Sequence, residues 1–324
     1  MPTPPNPPPV RPEPSHAVKR GESVLAGEHT TVEELITLVD QLKTERKFGL
    51  ARKLLDRRAE EADVKENPDL KLRRKFAQKR SLCTYKDPDL PAEDRLDRAL
   101  RILERADPLQ ISMDQETLGQ AGAIFKRRWE LAGAQPDLET SLAYYSRGHQ
   151  QGVAKDYGYT AINAAFVLDL LADVAETSTR AAGAANQLAS QRRQQARTIR
   201  QEIVEVLPAL LEQPDQKSLE QKWWFLVTVG ESCFGLEDYA AAGAWLDKAA
   251  ALPGVADWEW ESTARQLATL LQLQTKVWPA NQQPVKAAAE EVLQKFLRGN
   301  LAAVTRSEEH TSELQSPYVI SYAV

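Results

Sequence analysis

The sequence predicts an all-α protein, a right-handed α-solenoid of about six helical hairpins that spans residues 31–298. Apolar residues recur at helical spacing along this range, no segment alternates with a period of two over a convincing length, and clusters of β-branched residues are absent. Residues 223–253 contain the pattern of one complete helix–turn–helix unit. Because a single unit cannot bury its own hydrophobic face, other hairpins must stack against it.

The unit at residues 223–253, WWFLVTVGESCFGLEDYAAAGAWLDKAAALP, resembles a tetratricopeptide repeat, whose period is roughly 34 residues. In that family a small residue sits midway along the first helix, an aromatic residue follows the turn, and alanines in the second helix let the pair close. Gly230, Tyr239, Ala242 and Ala249 occupy these places. The apolar seam of the unit is formed by Leu226, Val229, Leu246 and Leu252.

The N-terminal segment is expected to lie outside the fold. Proline dominates the first fourteen residues, so residues 1–28 are predicted to be a disordered leader with polyproline character. Pro9 and Pro12 fit a PxxP ligand pattern, but a solvated leader is favoured, because such patterns arise by chance where proline is this dense. The fold then begins at Thr31, which is predicted to form a capping box with Glu34.

The remaining helices follow from apolar spacing and from breaks at glycine and proline. We predict helices at 31–44, 48–62, 68–85, 92–106, 115–132, 137–151, from 157 onward, 179–212 with a kink at Pro208, within 223–253 as above, 257–276 and 284–298. The helix at 68–85 carries a basic run over residues 71–80. A solvated helix face is favoured for this run over a surface for an acidic partner.

Three passages resemble a narrower family, the TRAF-binding region of apoptosis-signal-regulating kinases and its bacterial relatives. They are residues 122–152, residues 157–171, and the unit at 223–253 with its continuation to 271; the resemblance covers about 115–275. It implies a helical regulatory scaffold that binds proteins and controls a linked effector, and it does not imply kinase activity. Tyr159, Ile162 and Asn163 match a helix of that family, with Ala161 where the family often has glycine.

Five residues are candidates for partner binding: Tyr145, Tyr159, Asn163, Trp223 and Trp224. Asn163 either faces the concave groove and bonds a bound peptide, or bridges two helices as a buried amide that must find partners. Trp223 and Trp224 are adjacent on a helix and point about 100° apart, so one is expected in the core. The other is either an exposed anchor for a partner or, as we favour, half-buried in the packing between repeats. The pair Tyr144 and Tyr145 presents the same choice.

The inventory of groups for catalysis is thin. His149 is the only histidine within the predicted fold, and it has no cysteine or carboxylate at ligand spacing. The motifs GxSxG, HExxH, GxxxxGK[ST] and GxGxxG are absent. Cys83 and Cys233 lack metal-site spacing and are expected to be small buried hydrophobes. The residues present are therefore expected to form no enzyme, and no catalytic residue, metal site or cofactor site is predicted.

Charge and hydropathy exclude further classes of protein. The net charge of −5 argues against a nucleic-acid binder, which normally has a basic balance, so no nucleic acid is expected as a partner. Apolar runs are too short for a spanning helix, and no signal-peptide core is present, so a membrane is not expected either and a cytoplasmic protein is the default.

We therefore expect a noncatalytic scaffold that binds a peptide or neighbouring domain along its concave face. Residues 306–324, RSEEHTSELQSPYVISYAV, resemble a translated sequencing-library adapter. Residues 301–324 are accordingly predicted to be a non-native or disordered tail after a solenoid at 29–300, and the natural frame is expected to continue beyond Thr305. The alternative function is the regulatory part of a longer effector enzyme, for which a patatin-like lipase is the suggestion from resemblance.

Overall fold

The fold is known from a computed structural model that describes residues 13–61, 68–178, 183–279 and 282–297. Within these ranges the chain forms thirteen α-helices, one 3-10 helix and no β-strand, so the all-α prediction is confirmed. The α-helices are α1 (His16–Leu25), α2 (Val32–Thr44), α3 (Phe48–Arg58), α4 (Leu70–Tyr85), α5 (Ala92–Ala106), α6 (Gln115–Ala132), α7 (Gln135–His149), α8 (Tyr159–Ser178), α9 (Gly183–Leu210), α10 (Trp223–Gly235), α11 (Tyr239–Ala250), α12 (Asp257–Val277) and α13 (Gln283–Leu297). The adapter-like tail and residues 1–12 lie outside the described residues.

Helices α2 to α13 form six antiparallel-type hairpins, pairing as α2/α3, α4/α5, α6/α7, α8/α9, α10/α11 and α12/α13. From α3 to α10, the second helix of each hairpin also packs against the first helix of the next. The first helices α4, α6, α8 and α10 contact one another in succession. This ladder of contacts between neighbouring hairpins is the arrangement of a tetratricopeptide-like solenoid.

Helix α1 corrects the prediction of a disordered leader. Ser15 caps the helix by accepting a hydrogen bond from the Val18 backbone nitrogen, and Ala17, Gly21 and Val24 are buried. The helix packs against α2 and α3, where its apolar residues join the core of the first hairpin. The proline-rich composition of the preceding residues predicts disorder, but this short amphipathic stretch begins two residues after Pro14.

Helix ends agree with the sequence signals at several positions. Thr31 and Glu34 form the expected capping box at α2. Asp114 caps α6 through the Thr117 backbone nitrogen, and Gly133, with a φ of 69°, ends the helix. Helix α9 begins at Gly183 and continues through Pro208 to Leu210. The 3-10 helix Pro214–Gln221, which the sequence did not predict, then leads into α10.

The hairpin α10/α11 confirms the pattern that predicted it. Tyr239, Ala242 and Ala249 are buried at its interface. A Cβ atom placed on Gly230 would lie 2.9 Å from Leu246 Cγ, so only glycine lets the two helices approach this closely. The apolar seam of the hairpin belongs to the largest hydrophobic core of the described residues, which extends from α6 to α13.

Helix α12 departs from the regular ladder. Helix α11 packs against α13 instead, while α12 contacts both α10 and α8. No helix of the described residues is long and apolar enough to cross a membrane. Helix α8, which is 20 residues long and largely apolar, carries Asp169 and Asp173 in its second half.

Candidate protein-binding surface

The two tryptophans at the start of α10 have opposite environments. Trp223 is 8% exposed and stacks on Phe296 of α13, with ring centroids 6.0 Å apart. Trp224 is 41% exposed and packs against Tyr157, at 5.2 Å between centroids. The expectation that one of the two rings lies in the core is confirmed. Trp223 is therefore wrong as a partner-binding residue, because α13 covers it.

Tyr145 is also wrong as a partner-binding residue. Its side chain is only 1% exposed, and its ring fills the space beside Gly122 of α6, where an added Cβ would lie 2.9 Å from the ring carbons. Burial raises the pKa of the Tyr145 hydroxyl well above its usual value. The ring is thus a packing element between α6 and α7.

Tyr159 and Asn163 lie one turn apart on the same side of α8, and both are partly buried. The Asn163 amide nitrogen donates a hydrogen bond to the Tyr159 carbonyl oxygen, at 2.9 Å. Within the described residues Asn163 makes no hydrogen bond to another helix. The helix-bridging role that the sequence left open is therefore not the one observed.

The first helices α4, α6, α8 and α10 form a continuous surface, which we call the inner surface. Helix α12 crosses this surface. It has 21 residues, which corresponds to a length of about 32 Å at 1.5 Å per residue. This length takes it from the first hairpin to the fourth and fifth. The expected concave face is consequently covered in part by a helix of the same chain.

The N-terminal end of α12 is attached to the first two hairpins. Trp258 packs edge-on against Phe48, with ring centroids 5.9 Å apart. Lys86, which follows α4, lies over the same indole at 4.7 Å. Glu261 pairs with Arg46 of the α2–α3 turn at 2.6 Å. Burial lowers the pKa of Lys86 to about 7, and the positive charges of Arg127 and Arg265 act in the same direction.

The middle of α12 meets buried charges of α6 and α10. Gln266 donates a hydrogen bond to the Glu231 carboxylate at 2.6 Å. Burial raises the pKa of Glu231 to about 7, although this hydrogen bond and the positive charges of Arg200 and Lys126 oppose the change. Burial also lowers the pKa of Lys126, whose ammonium lies over the Phe166 ring. The inner surface is therefore polar beneath α12 and only weakly hydrated.

The C-terminal end of α12 is attached to α8 and to the α10–α11 turn. Lys276 pairs with the buried Asp173 at 2.8 Å. Gln274 donates to the Phe234 carbonyl oxygen at 3.1 Å and accepts from the Tyr239 hydroxyl at 3.2 Å. Both ends of α12 are thus held by polar contacts with specific geometry.

The N-terminal halves of α6 and α8 carry a group of polar side chains outside these α12 contacts. Glu116, in the first turn of α6, is solvent-exposed. Gln120, one turn further on, donates to Glu116 at 2.7 Å, and its buried carbonyl oxygen has no hydrogen-bond partner among the described residues. The Tyr159 ring lies against Gly119 between them. We call this group, Glu116, Gln120, Tyr159 and Asn163, the polar patch.

The histidine and the two cysteines that could supply chemistry have structural environments. His149 bonds Glu202 of α9 at 2.8 Å, so it links α7 to α9. Cys83 and Cys233 are free and buried, as expected. Among the described residues no group of three or more histidine, cysteine, aspartate or glutamate side chains is arranged to hold a metal ion.

Three of the six basic residues in the run of α4 pair with acids elsewhere in the chain, while Lys71, Arg73 and Lys75 are exposed. Lys79 pairs with Asp40 at 2.7 Å, Arg80 with Asp56 at 2.6 Å, and Arg74 with Asp107 at 3.3 Å. The sequence favoured a solvated face for this run. The structure instead places several of its charges against the acids of neighbouring helices.

Comparison with known proteins supports the repeat architecture for part of the chain. A family model described as Tetratricopeptide Repeats-Sensor matches residues 47–168. No curated protein matches the chain. The match begins one residue before α3 and ends within α8, so it includes the polar patch but not the hairpin α10/α11. Residues 47–168 are therefore a tetratricopeptide-like region.

Proposed function

We propose that the chain is a noncatalytic protein-interaction and regulatory scaffold whose partner contributes an extended peptide segment to the polar patch. The single observation that carries this proposal is that the Tyr159 ring of α8 lies against Gly119 of α6, between Glu116 and Gln120, with Asn163 one turn further along α8. Tetratricopeptide-like repeats generally mediate protein–protein interaction, which supports the same class of function.

The chemistry of the polar patch suits a peptide backbone. Asn163 uses its amide nitrogen within α8, which leaves its side-chain oxygen as an acceptor. Peptide N–H groups supply the matching donors. Glu116 adds a preference for a basic side chain on the partner.

Trp224 supplies an apolar anchor next to these polar groups. It stands at the start of α10, which packs against α8, and its ring rests on Tyr157 two residues before Tyr159. Half-exposed tryptophan is enriched at the energetic centre of protein interfaces. The proposed partner segment therefore places one large apolar side chain against Trp224 and its backbone along Tyr159 and Asn163.

Helix α12 sets the extent of the site in this proposal. Because it covers the C-terminal halves of the first helices, the partner segment is short and confined to their N-terminal halves. The resemblance to the TRAF-binding region of apoptosis-signal-regulating kinases agrees with a regulatory scaffold. A cytoplasmic location belongs to the same proposal.

A photocrosslinking experiment in the native host tests the proposal. The photoreactive residue p-benzoylphenylalanine replaces Trp224 in one variant and Leu188 in the other. Leu188 is the matched control, since it is 44% exposed against 41% for Trp224. We expect a light-dependent protein adduct only at position 224, and we expect it to disappear when Asn163→Ala and Tyr159→Phe are added. Equal adducts at both positions, or an adduct insensitive to the α8 substitutions, would contradict the proposed site.

A further inference from the structure

A recess of about 170 Å³ lies between α3, α4 and α5, apart from the polar patch. Five arginines line it together with one acid and two uncharged residues: Arg52, Asp56, Arg80, Thr84, Arg98, Arg101, Ile102 and Arg105. Five positive charges against one negative charge in so small a volume is unusual for a chain whose net charge is −5. Such a concentration of guanidinium groups requires a physical explanation.

Two of the five arginines are fixed by carboxylates. Arg52 pairs with the fully buried Asp87 at 2.6 Å and with Asp56 at 2.9 Å. Arg80 pairs with the other oxygen of Asp56, also at 2.6 Å. Asp56, which is the only acid among the described residues that line the recess, is thus shared by two arginines. These ion pairs hold Arg52 and Arg80 in place at the wall.

The other three arginines form a stripe along α5. Arg98, Arg101 and Arg105 follow the i, i+3, i+7 spacing that places side chains on one face of a helix, and all three are solvent-exposed. Among the described residues no acidic side chain is seen to pair with them. Like charges at this spacing repel one another. The stripe therefore carries an uncompensated positive charge that points into a preformed recess.

The size of the recess limits what compensates this charge. The volume of the recess exceeds the volume that one molecule occupies in liquid water, about 30 Å³. It is smaller than the roughly 300–1,000 Å³ of pockets that enclose drug-sized ligands. One or two phosphate groups match this interval. The planar guanidinium fork of arginine binds the oxygens of phosphate in a bidentate manner.

We propose that this recess, the arginine recess, binds a small anion through one or two phosphate groups, with pyrophosphate as the simplest ligand. Arg98, Arg101 and Arg105 bind the phosphate oxygens. Arg52 and Arg80, held by Asp56 and Asp87, fix the opposite wall. A phosphorylated peptide is a different ligand that the narrow volume disfavours.

Isothermal titration calorimetry at constant ionic strength tests the proposal on the full chain. The probes are inorganic phosphate, pyrophosphate and a phosphoserine peptide. The test variant is Arg101→Gln with Arg105→Gln. The control is Arg73→Gln with Lys75→Gln, which changes the net charge equally at two exposed positions of α4 outside the recess. Circular dichroism and thermal unfolding establish that both variants fold.

We expect one saturable site for pyrophosphate, bound more tightly than inorganic phosphate. We expect affinity to fall by at least about tenfold in the test variant, since two charge-assisted contacts are lost, and to stay within about twofold in the control. No saturable binding, or an equal loss in both variants, would overturn the proposal. Tighter binding of the phosphopeptide than of pyrophosphate would overturn it too, in favour of a peptide site. If the test variant does not fold, the single substitution Arg101→Gln replaces it.

Discussion

The indole of Trp258 in α12 packs edge-on against the phenyl ring of Phe48 in α3, with centroids 5.9 Å apart. This contact joins the sixth hairpin to the first. An open solenoid brings only neighbouring hairpins together, so the contact shows that α12 turns back across the inner surface. The contact thereby connects the N-terminal and C-terminal parts of the array.

Trp258→Ala should loosen the attachment of α12 to the first hairpin. Truncation of a buried tryptophan to alanine lowers the free energy of unfolding by about 3–5 kcal/mol. Because Trp258 is only partly buried, we expect a decrease of about 2 kcal/mol. Hydrogen exchange should increase at the α2–α3 turn. Trp260→Ala is the matched control, because Trp260 stacks on Phe296 of α13 instead. A similar increase at the α2–α3 turn in both variants would show that the Trp258 contact is not specific.

Glu231 should make stability depend on pH. Burial raises its pKa from 4.5 to about 7 in the folded protein. Between these values the folded state keeps a proton that the unfolded state has released, so the free energy of unfolding falls as pH rises. Glu231→Gln removes this dependence. The free energy of unfolding of the variant, relative to that of the wild type, should therefore increase by about 2 kcal/mol between pH 5 and pH 7.

Urea unfolding of both proteins at pH 5 and pH 7 checks the prediction for Glu231. Lys86 affects the free energy of unfolding above pH 7, and in the opposite direction. Its pKa in the fold, about 7, lies below the ordinary 10.5, so its contribution makes stability rise from pH 7 upward. A difference between variant and wild type that does not change with pH would argue against a buried, perturbed Glu231.

Gly230→Ala should destabilise the hairpin α10/α11. The new methyl group would meet Leu246 Cγ at 2.9 Å, and overpacking of this kind costs about 1–3 kcal/mol. Gly243→Ala serves as the control within the same hairpin, since its nearest neighbour, Val292 Cγ2, lies 3.6 Å away. There alanine should be neutral or stabilise by up to about 1 kcal/mol. Thermal unfolding of the two variants should give opposite or clearly unequal shifts.

Substitution of the two adjacent tryptophans of α10 should affect stability to different extents, because only one of them is buried. Trp223→Ala removes a buried ring and is expected to cost about 3–5 kcal/mol. Trp224→Ala removes a half-exposed ring and is expected to cost less than about 1 kcal/mol. Denaturant titration measures both values. A large decrease in the free energy of unfolding for Trp224→Ala would identify this ring as structural and argue against its role as an anchor for a partner.

Both cysteines should be unreactive in the native protein. Burial raises the thiol pKa of Cys83 to about 12 and that of Cys233 to about 11. The thiolate that attacks a disulfide reagent is then scarce, and access is blocked. Labelling with Ellman's reagent at pH 8 should proceed only after denaturant is added. Rapid labelling of one thiol without denaturant would show local opening around that residue.

The helices and their neighbours within each hairpin are encoded in local sequence patterns. Apolar spacing located nearly every helix, and small residues such as Gly230 marked where two helices touch, because both signals depend on neighbours within one hairpin. The capping box of Thr31 is equally local. Helix α1 was missed because the proline-rich leader masks its short apolar stripe.

Which surfaces remain accessible to a binding partner depends on the tertiary packing. The sequence placed Tyr145 and Trp223 among the partner contacts, but other helices cover them, and burial by distant elements leaves no signal in a local pattern. The arginine recess likewise joins α3 and α4 to an α5 stripe whose spacing alone is common on solvated helices. The course of α12 depends on contacts such as Trp258 with Phe48 and Lys276 with Asp173. Such contacts form only when the whole array folds, since they join residues far apart in the chain.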